Sequence, residues 1–273
     1  MQIRFDKMEG AGNDFIMVDN RSAGIPDAMK VRLVKDYCRR AQGIGADGMV
    51  FLQSDDELDF SWDFFNSDGS RGEMCGNAAR CVARFANKIG AAGREMTFRT
   101  LAGPVPASLT ERGARVKLPG RIKLPSGRQT IQALGGEFEV WSLNTGVPHA
   151  VVEMPGVETC EVAALGRAIR NHEAFAPAGT NVNFFRMLDR GRLVMRTYER
   201  GVEGETLACG TGAVAVSIVA GCFFGGISPM MVLARSGEEL TVHFTLGEAG
   251  VDPVFLEGGA KLVFSGTAAA PDL

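Results

Sequence analysis

Cys75 and Cys209 are the residues of this chain whose surroundings most suggest chemistry. Cys75-Gly76-Asn77-Ala78 opens one helical pattern and Cys209-Gly210-Thr211-Gly212 opens another. The first turn of a helix has N–H groups without intrahelical acceptors, and the helix dipole adds positive potential there. A thiol so placed has a raised thiolate fraction near neutral pH. The same N–H groups can bind a carboxylate or a developing oxyanion. One such cysteine suggests a nucleophile or a base. Two suggest a thiolate that removes a proton from one face of a carbon and a thiol that returns one to the other face. Other roles compete. A covalent nucleophile would use one sulfur and a nearby histidine. A Cys75–Cys209 disulfide would be an oxidised, inactive form. A lone cysteine before a helix is more often a packing residue.

The strands and helices expected around these sulfurs form an internal repeat. Cys209 follows Cys75 by 134 positions. The same offset carries Gly12 onto Gly146, Val18-Asp19 onto Val152-Glu153, and Gly45-Ala46-Asp47 onto Gly179-Thr180-Asn181. Twice that offset nearly exhausts the 273 residues, so the chain reads as two copies of one α/β unit. Residues 15–18 and 150–152 read as strands after glycine turns, 49–52 and 182–185 take matching places, and 60–65 and 193–198 follow. Each half then runs through a polar glycine-rich loop into its cysteine and a helix. The first helix carries Arg80, Arg84, Asn87 and Lys88 on one stripe, so a polar face is expected. The second, 213–224, is apolar nearly all round, as in a helix buried within its own unit. Shorter strands are expected at 115–118, 137–143, 231–233, 240–244 and 261–264. A surface helix is expected at 165–171. A linker is expected within 117–126, around Pro119 and Pro125.

Composition narrows the classes. The length allows one large domain or two small ones. There are 29 Lys and Arg against 32 Asp and Glu, a net charge of −3 that carries no footprint for nucleic acid or an anionic membrane. Arg4, Asp6, Lys7 and Glu9 precede any apolar run, so no signal peptide is expected. Residues 206–234 carry no charge but are broken by Gly225, Gly226, Ser228 and Pro229; a buried helix followed by a buried strand is expected, not a membrane span. Six cysteines without a CxxC pair predict reduced cytosolic thiols and no zinc or other metal site. Cys38, Cys81, Cys160 and Cys222 are expected to pack. Glycine is in excess, at 35 residues. It is expected where turns are tight and where backbone closes on a small ligand.

At these residues the chain resembles the diaminopimelate epimerase family. The resemblance covers nearly the whole chain. It is carried by Gly10-Ala11-Gly12-Asn13-Asp14-Phe15, Phe65-Asn66-Ser67-Asp68-Gly69-Ser70, Met74-Cys75-Gly76-Asn77-Ala78-Ala79-Arg80-Cys81, Gly146-Val147-Pro148-His149, Thr180-Asn181-Val182, Tyr198-Glu199-Arg200-Gly201 and Ala208-Cys209-Gly210-Thr211-Gly212. The resemblance implies an α/β (α+β) fold of two pseudo-symmetric lobes, each a mixed, barrel-like sheet wrapped around a central helix, with the site in the cleft between them. The expected lobes are 1–122, carrying Cys75, and 123–273, carrying Cys209, with the last strand (about 260–268) free to cross back. The implied activity is cofactor-independent epimerisation of LL-2,6-diaminopimelate to the meso form, in lysine and peptidoglycan precursor biosynthesis. A cytoplasmic homodimer is implied, with a small-molecule substrate as its partner.

Carried over residue by residue, Cys75 and Cys209 match the two catalytic thiols. Backbone N–H groups of Gly76, Asn77, Gly210 and Thr211 would hold the α-carboxylate, onto which charge moves when the Cα proton leaves. Asn13 matches a residue near the reacting end. Asn66, Asn181 and Arg200 match residues that grip the distal amino-acid end, where a guanidinium fork suits a carboxylate. Glu199 matches a group beside the second thiol and the distal ammonium, and His149 a group near the first thiol. Two positions depart from the pattern. Val147 stands where many members have Asn, for which Asn144 is a possible substitute, and Gly48 stands where some have Gln. On the offset of 134, Glu199 and His149 fall opposite Phe65 and Phe15. This suggests that the second copy gained two polar groups that tell the reacting end of a ligand from the distal one. An epimerase or racemase of another amino acid, and a non-catalytic two-lobed amino-acid binding protein, are the competing readings.

Overall fold

A computed structural model describes residues 2–269. The chain divides into two compact units: one runs to Pro119 and resumes at Glu257, and the other is Gly120–Leu256. In order, the first unit contains β1 (Gln2–Gly10), β2 (Asn13–Asp19), α1 (Asp27–Tyr37), β3 (Gly48–Gln53), β4 (Phe60–Asn66), α2 (Gly76–Lys88), β5 (Glu95–Thr100), β6 (Gly103–Leu109) and β7 (Gly113–Lys117). The second contains β8 (Gln129–Ala133), β9 (Gly136–Asn144), β10 (Pro148–Glu153), α3 (Val162–Arg170), β11 (Asn181–Asp189), β12 (Arg192–Glu199), β13 (Gly204–Thr206), α4 (Gly210–Phe223), β14 (Met230–Leu233) and β15 (Glu239–Gly247). Strand β16 (Gly250–Gly259) carries the chain from the second unit to the first, and β17 (Lys261–Ala269) pairs antiparallel with β1. The return begins at Glu257, so the second unit does not extend to the C-terminus.

Both units use the same strand grammar. A parallel pair (β2–β3; β10–β11) is followed by an antiparallel pair (β3–β4; β11–β12). A parallel pair (β4–β5; β12–β14) and another antiparallel one (β5–β6; β14–β15) then follow. The connection from β4 or β12 to the next parallel strand is the one that holds the cysteine and its helix. Parallel neighbours need such a crossover, and a helix supplies it. Paired glycines share left-handed backbone: Gly12 and Gly146 at φ 88° and 111°, Gly45 and Gly179 at 77° and 68°. That torsion, which L side chains disfavour, is a direct cause of part of the glycine excess.

The helices differ from sequence expectation in instructive ways. Helix α4 starts at Gly210, three residues before the apolar run, and is buried from Gly212 to Ala220. Among the described residues no helix is long and apolar enough to cross a membrane. Helix α2 buries Arg80, which the stripe of Arg84, Asn87 and Lys88 had assigned to a polar face. Its guanidinium is 0% exposed and is consumed internally, donating to Gly76 O, Asn77 Oδ1 and Gly259 O. Helix α1 lacks any counterpart in the sequence expectation. Helix α3 buries Val162, Leu165, Gly166 and Ile169 against its unit, and Gly166 is needed because a Cβ there would lie 2.4 Å from Tyr198.

Candidate active site

Each cysteine is the residue before the first turn of a helix. Cys75 has φ −144° and ψ 117°, and Cys209 has −133° and 110°, so the two copies present their sulfurs from the same extended backbone. At α4 the sulfur itself faces the helix start. Cys209 Sγ lies 3.4 Å from Gly212 N, which donates to it, and 3.4 Å from Thr211 Oγ1. Directed N–H groups of this kind favour negative charge on sulfur. Cys75 makes no side-chain cap hydrogen bond and is half-buried, whereas Cys209 is buried. Among the described residues Cys38, Cys81, Cys160 and Cys222 form no disulfide, and Cys38 and Cys81 are buried. Burial pushes the Cys38 thiol up to about 12 and raises those of Cys160 and Cys222, which suits packing rather than reactivity.

In the first unit a chain of polar contacts ends at α2. Asp47 Oδ2 accepts from Asn13 Nδ2 at 3.0 Å, and Asn13 Oδ1 accepts from Asn77 Nδ2 at 2.6 Å. Asn77 Oδ1 in turn accepts from Arg80 at 2.9 Å. The start of that chain is anchored by ions. Lys7 pairs with Asp14 at 2.9 Å, and Arg40 bridges Asp14 and Asp47 at 2.8 and 2.7 Å. Burial raises the Asp14 carboxyl, but hydrogen bonds from Arg40 and Lys7 outweigh it and hold the group at about 2. Asn13 and Asn77 therefore meet directly, 64 residues apart in sequence. Asn66, at the end of β4, is exposed and donates to Ser70 Oγ at 3.0 Å. Gly48 is buried, and a Cβ there would lie 2.7 Å from Phe65 O and 2.9 Å from Phe64. No side chain fits at 48 without displacing the β3–β4 ladder, so this departure is locked in by packing.

In the second unit His149 and Asn181 are register partners across β10 and β11. Asn181 Oδ1 accepts from Arg200 N at 2.9 Å, fixing the turn that carries the half-buried Arg200. Thr145 Oγ1 donates to Thr211 O at 3.1 Å, tying the loop before β10 to the start of α4 beside Gly210. Asn144 uses its Oδ1 to accept from Gly146 N at 2.9 Å, and Val147 O accepts from Thr145 N, so both belong to one tight turn. The His149 ring is 1% exposed. Burial pushes its pKa down to about 3, with the Arg200 guanidinium adding to the effect, so the imidazole is neutral.

The strand registers revise one sequence inference. Ile16, Met49 and Phe65 align across the first unit, and Ala150, Val182 and Tyr198 across the second. The counterpart of Phe65 is therefore Tyr198, and Glu199 answers Asn66. One residue fewer separates Gly179 from Asn181 than Gly45 from Gly48, and one more separates Glu199 from Cys209 than Asn66 from Cys75. The constant offset of 134 thus slips to 133 across this strand pair. His149 still answers Phe15, but Glu199 is not a polar gain over an apolar partner. Sequence reasoning also missed Asp47, Asn183 and Thr197. The alternation Asn181-Val182-Asn183 was the available signal, because a strand of period two places both amides on one face.

The comparisons with known proteins agree over most of the chain. The sequence matches the family model described as Diaminopimelate epimerase at residues 5–123 and 141–249. It is 44% identical over 275 residues to "Diaminopimelate epimerase" of Aquifex aeolicus, with 97% of each chain covered. It is 38% identical to the protein of the same name from Archaeoglobus fulgidus, with 97% of this chain and 96% of the relative covered. A solved phenazine biosynthesis protein of the PhzF family from Enterococcus faecalis superposes with a TM-score of 0.74 at 17% identity, covering 98% of this chain and 100% of that one. A probable proline racemase from Agrobacterium radiobacter gives 0.72 at 14%, with 98% and 93% covered. These two solved structures share the two-lobed α/β fold. With a family match over most of its length and relatives this similar end to end, the chain belongs to the diaminopimelate epimerase family.

Proposed function

We propose that this chain is an isomerase that converts LL-2,6-diaminopimelate to the meso form and back, with Cys75 and Cys209 as its acid–base pair and no cofactor. In this mechanism one sulfur, as thiolate, takes the Cα proton, and the other, as thiol, delivers a proton to the opposite face. Each turnover exchanges which sulfur is protonated. The charge released at Cα moves into the α-carboxylate. Backbone N–H groups of Gly76, Asn77, Gly210 and Thr211 receive it, as donors already oriented before the reaction. Asn66, Asn181, Glu199 and Arg200 hold the distal amino-acid end, and Asn13 and His149 act near the reacting centre. The observation that carries this reading is the matched pair of helix starts, each with a cysteine before a glycine and each with the same extended backbone.

Assembly as a homodimer in the cytoplasm, and a place in lysine biosynthesis, belong to the same reading. Leu262, Val263 and Phe264 on β17, at 38%, 53% and 47% exposure, offer an apolar strip to a second copy. Light scattering on purified protein tests the dimer. The reaction is tested with diaminopimelate in D₂O: deuterium should enter Cα during turnover. Cys75→Ala and Cys209→Ala should each lose about 10²–10⁴-fold in epimerisation. Full activity in Cys209→Ala excludes the two-thiol mechanism. If diaminopimelate neither turns over nor protects the thiols from alkylation, a binding protein or another amino acid as substrate becomes the better reading.

A further inference from the structure

Asn183 is fully buried at the centre of a polar cluster around His149, and the mechanism above gives Asn183 itself no role. Its Nδ2 lies 2.9 Å from His149 Nδ1 and 3.2 Å from Ala150 O. Its Oδ1 accepts from Thr197 Oγ1 at 3.0 Å. It also packs on the start of α4: a Cβ on Gly212 would lie 2.3 Å from Asn183 Oδ1 and 3.2 Å from Cys209 Sγ. Gly212 is thus the residue that lets the amide approach the helix bearing the second thiol.

The Ala150 carbonyl decides which way the carboxamide faces. A carbonyl only accepts, so the NH₂ end turns toward it. The second NH₂ hydrogen then serves His149 Nδ1, which must be the accepting nitrogen. A neutral imidazole that accepts at Nδ1 carries its proton on Nε2. His149 Nε2 is buried and has no hydrogen-bond partner among the described residues.

The other copy shows that the fold closes without this cluster. By strand register, Asn183 and Thr197 stand where the first unit has Val50 and Phe64, and His149 stands where it has Phe15. All three counterparts are buried and apolar. Burying an amide, a hydroxyl and an imidazole is unfavourable unless each is hydrogen-bonded. Asn183 and Thr197 meet that requirement within the cluster, and what their contacts fix is the orientation of the His149 ring.

We propose that Asn183 is a positioning residue that locks His149 in its neutral Nε2–H tautomer, so that the ring offers the reactive site a hydrogen-bond donor. The tautomer follows from the cluster itself; the use of the donor rests on the epimerase reading. The test is a long-range ¹H–¹⁵N spectrum of the uniformly labelled full chain at pH 7. There are only three histidines, and His172→Gln and His243→Gln assign His149 by elimination. A pyridine-type Nδ1 and a pyrrole-type Nε2 are expected. In Asn183→Asp, the carboxylate accepts from Nδ1–H, so the pyridine-type Nδ1 signal should be lost. A role confined to packing would alter the melting temperature but leave that signal in place. A wild-type His149 protonated at Nδ1, or an unchanged signal in Asn183→Asp, overturns the proposal. If Asn183→Asp does not fold, the wild-type spectrum decides alone. Absence of diaminopimelate turnover with the expected spectrum would count against the function proposed and not against the tautomer.

Discussion

His149 enters the folded state neutral because its ring is buried beside the Arg200 guanidinium, and this links stability to pH. Its pKa is about 3 when folded, against an ordinary value of about 6.5 when unfolded. Above the unfolded value neither state binds the proton and the residue has no effect. As pH falls below it, the unfolded chain takes up a proton that the folded chain refuses. Stability should then fall by up to about 1.4 kcal/mol per pH unit from this residue until the folded pKa is reached. His149→Phe, which installs the first unit's counterpart, should flatten the dependence between pH 6 and pH 4. Urea unfolding of both proteins across that range checks this, and identical slopes would refute it. Arg80 makes a second case at this scale. Its buried guanidinium holds the Asn77 carboxamide that reaches Asn13. Arg80→Ala should cost about 1–3 kcal/mol by leaving these neutral acceptors without their donor. It should also lower epimerase activity through Asn77, measurable as a loss in kcat beyond the change in melting temperature.

Local elements explain both the successes and the misses of pattern reading. Helix α1 buries Lys30, Leu33, Val34 and Tyr37, which is a regular helical stripe with a lysine at its first position. Apolar periodicity passes over such a stripe. Lys30 is 1% exposed because it pairs with Asp63 at 2.5 Å and Asp27 at 2.6 Å, and Asp63 lies on a strand 33 residues away. The one-residue slip of register in β11 and β12 has the same character. A strand takes its place from hydrogen-bonded neighbours, so an added or missing loop residue shifts a sequence offset without moving the ladder. Gly48 shows the energetic side. Gly48→Gln should destabilise this chain by about 1–3 kcal/mol. The cause is the contact its Cβ would make with Phe65 O. Thermal unfolding tests it, and a neutral result would mean that β3 and β4 separate more easily than their packing suggests.

At the scale of the whole molecule, the units differ in how the chain supplies them. The second is one continuous segment, Gly120–Leu256, while the first depends on β17, which covers β1 from Gln2 to Glu9. Residues 120–256 produced alone should fold, as judged by circular dichroism and resistance to proteolysis. Residues 1–119 alone should not, because β1 would expose an unpaired edge. Folding of the shorter N-terminal piece without its last strand would contradict this. The two copies, their α/β character, the helix-start cysteines and the family resemblance are all legible in the order of residues along the chain. Each of these is local: a spacing, a period or a run of neighbouring residues. Folding alone makes Arg80 buried, makes Glu199 the register counterpart of Asn66, closes Gly48 to a side chain and brings Asn183 against both His149 and the helix of Cys209. Those facts depend on contacts between residues distant in the chain. Strand register and packing select such contacts, and neither is written in any single segment.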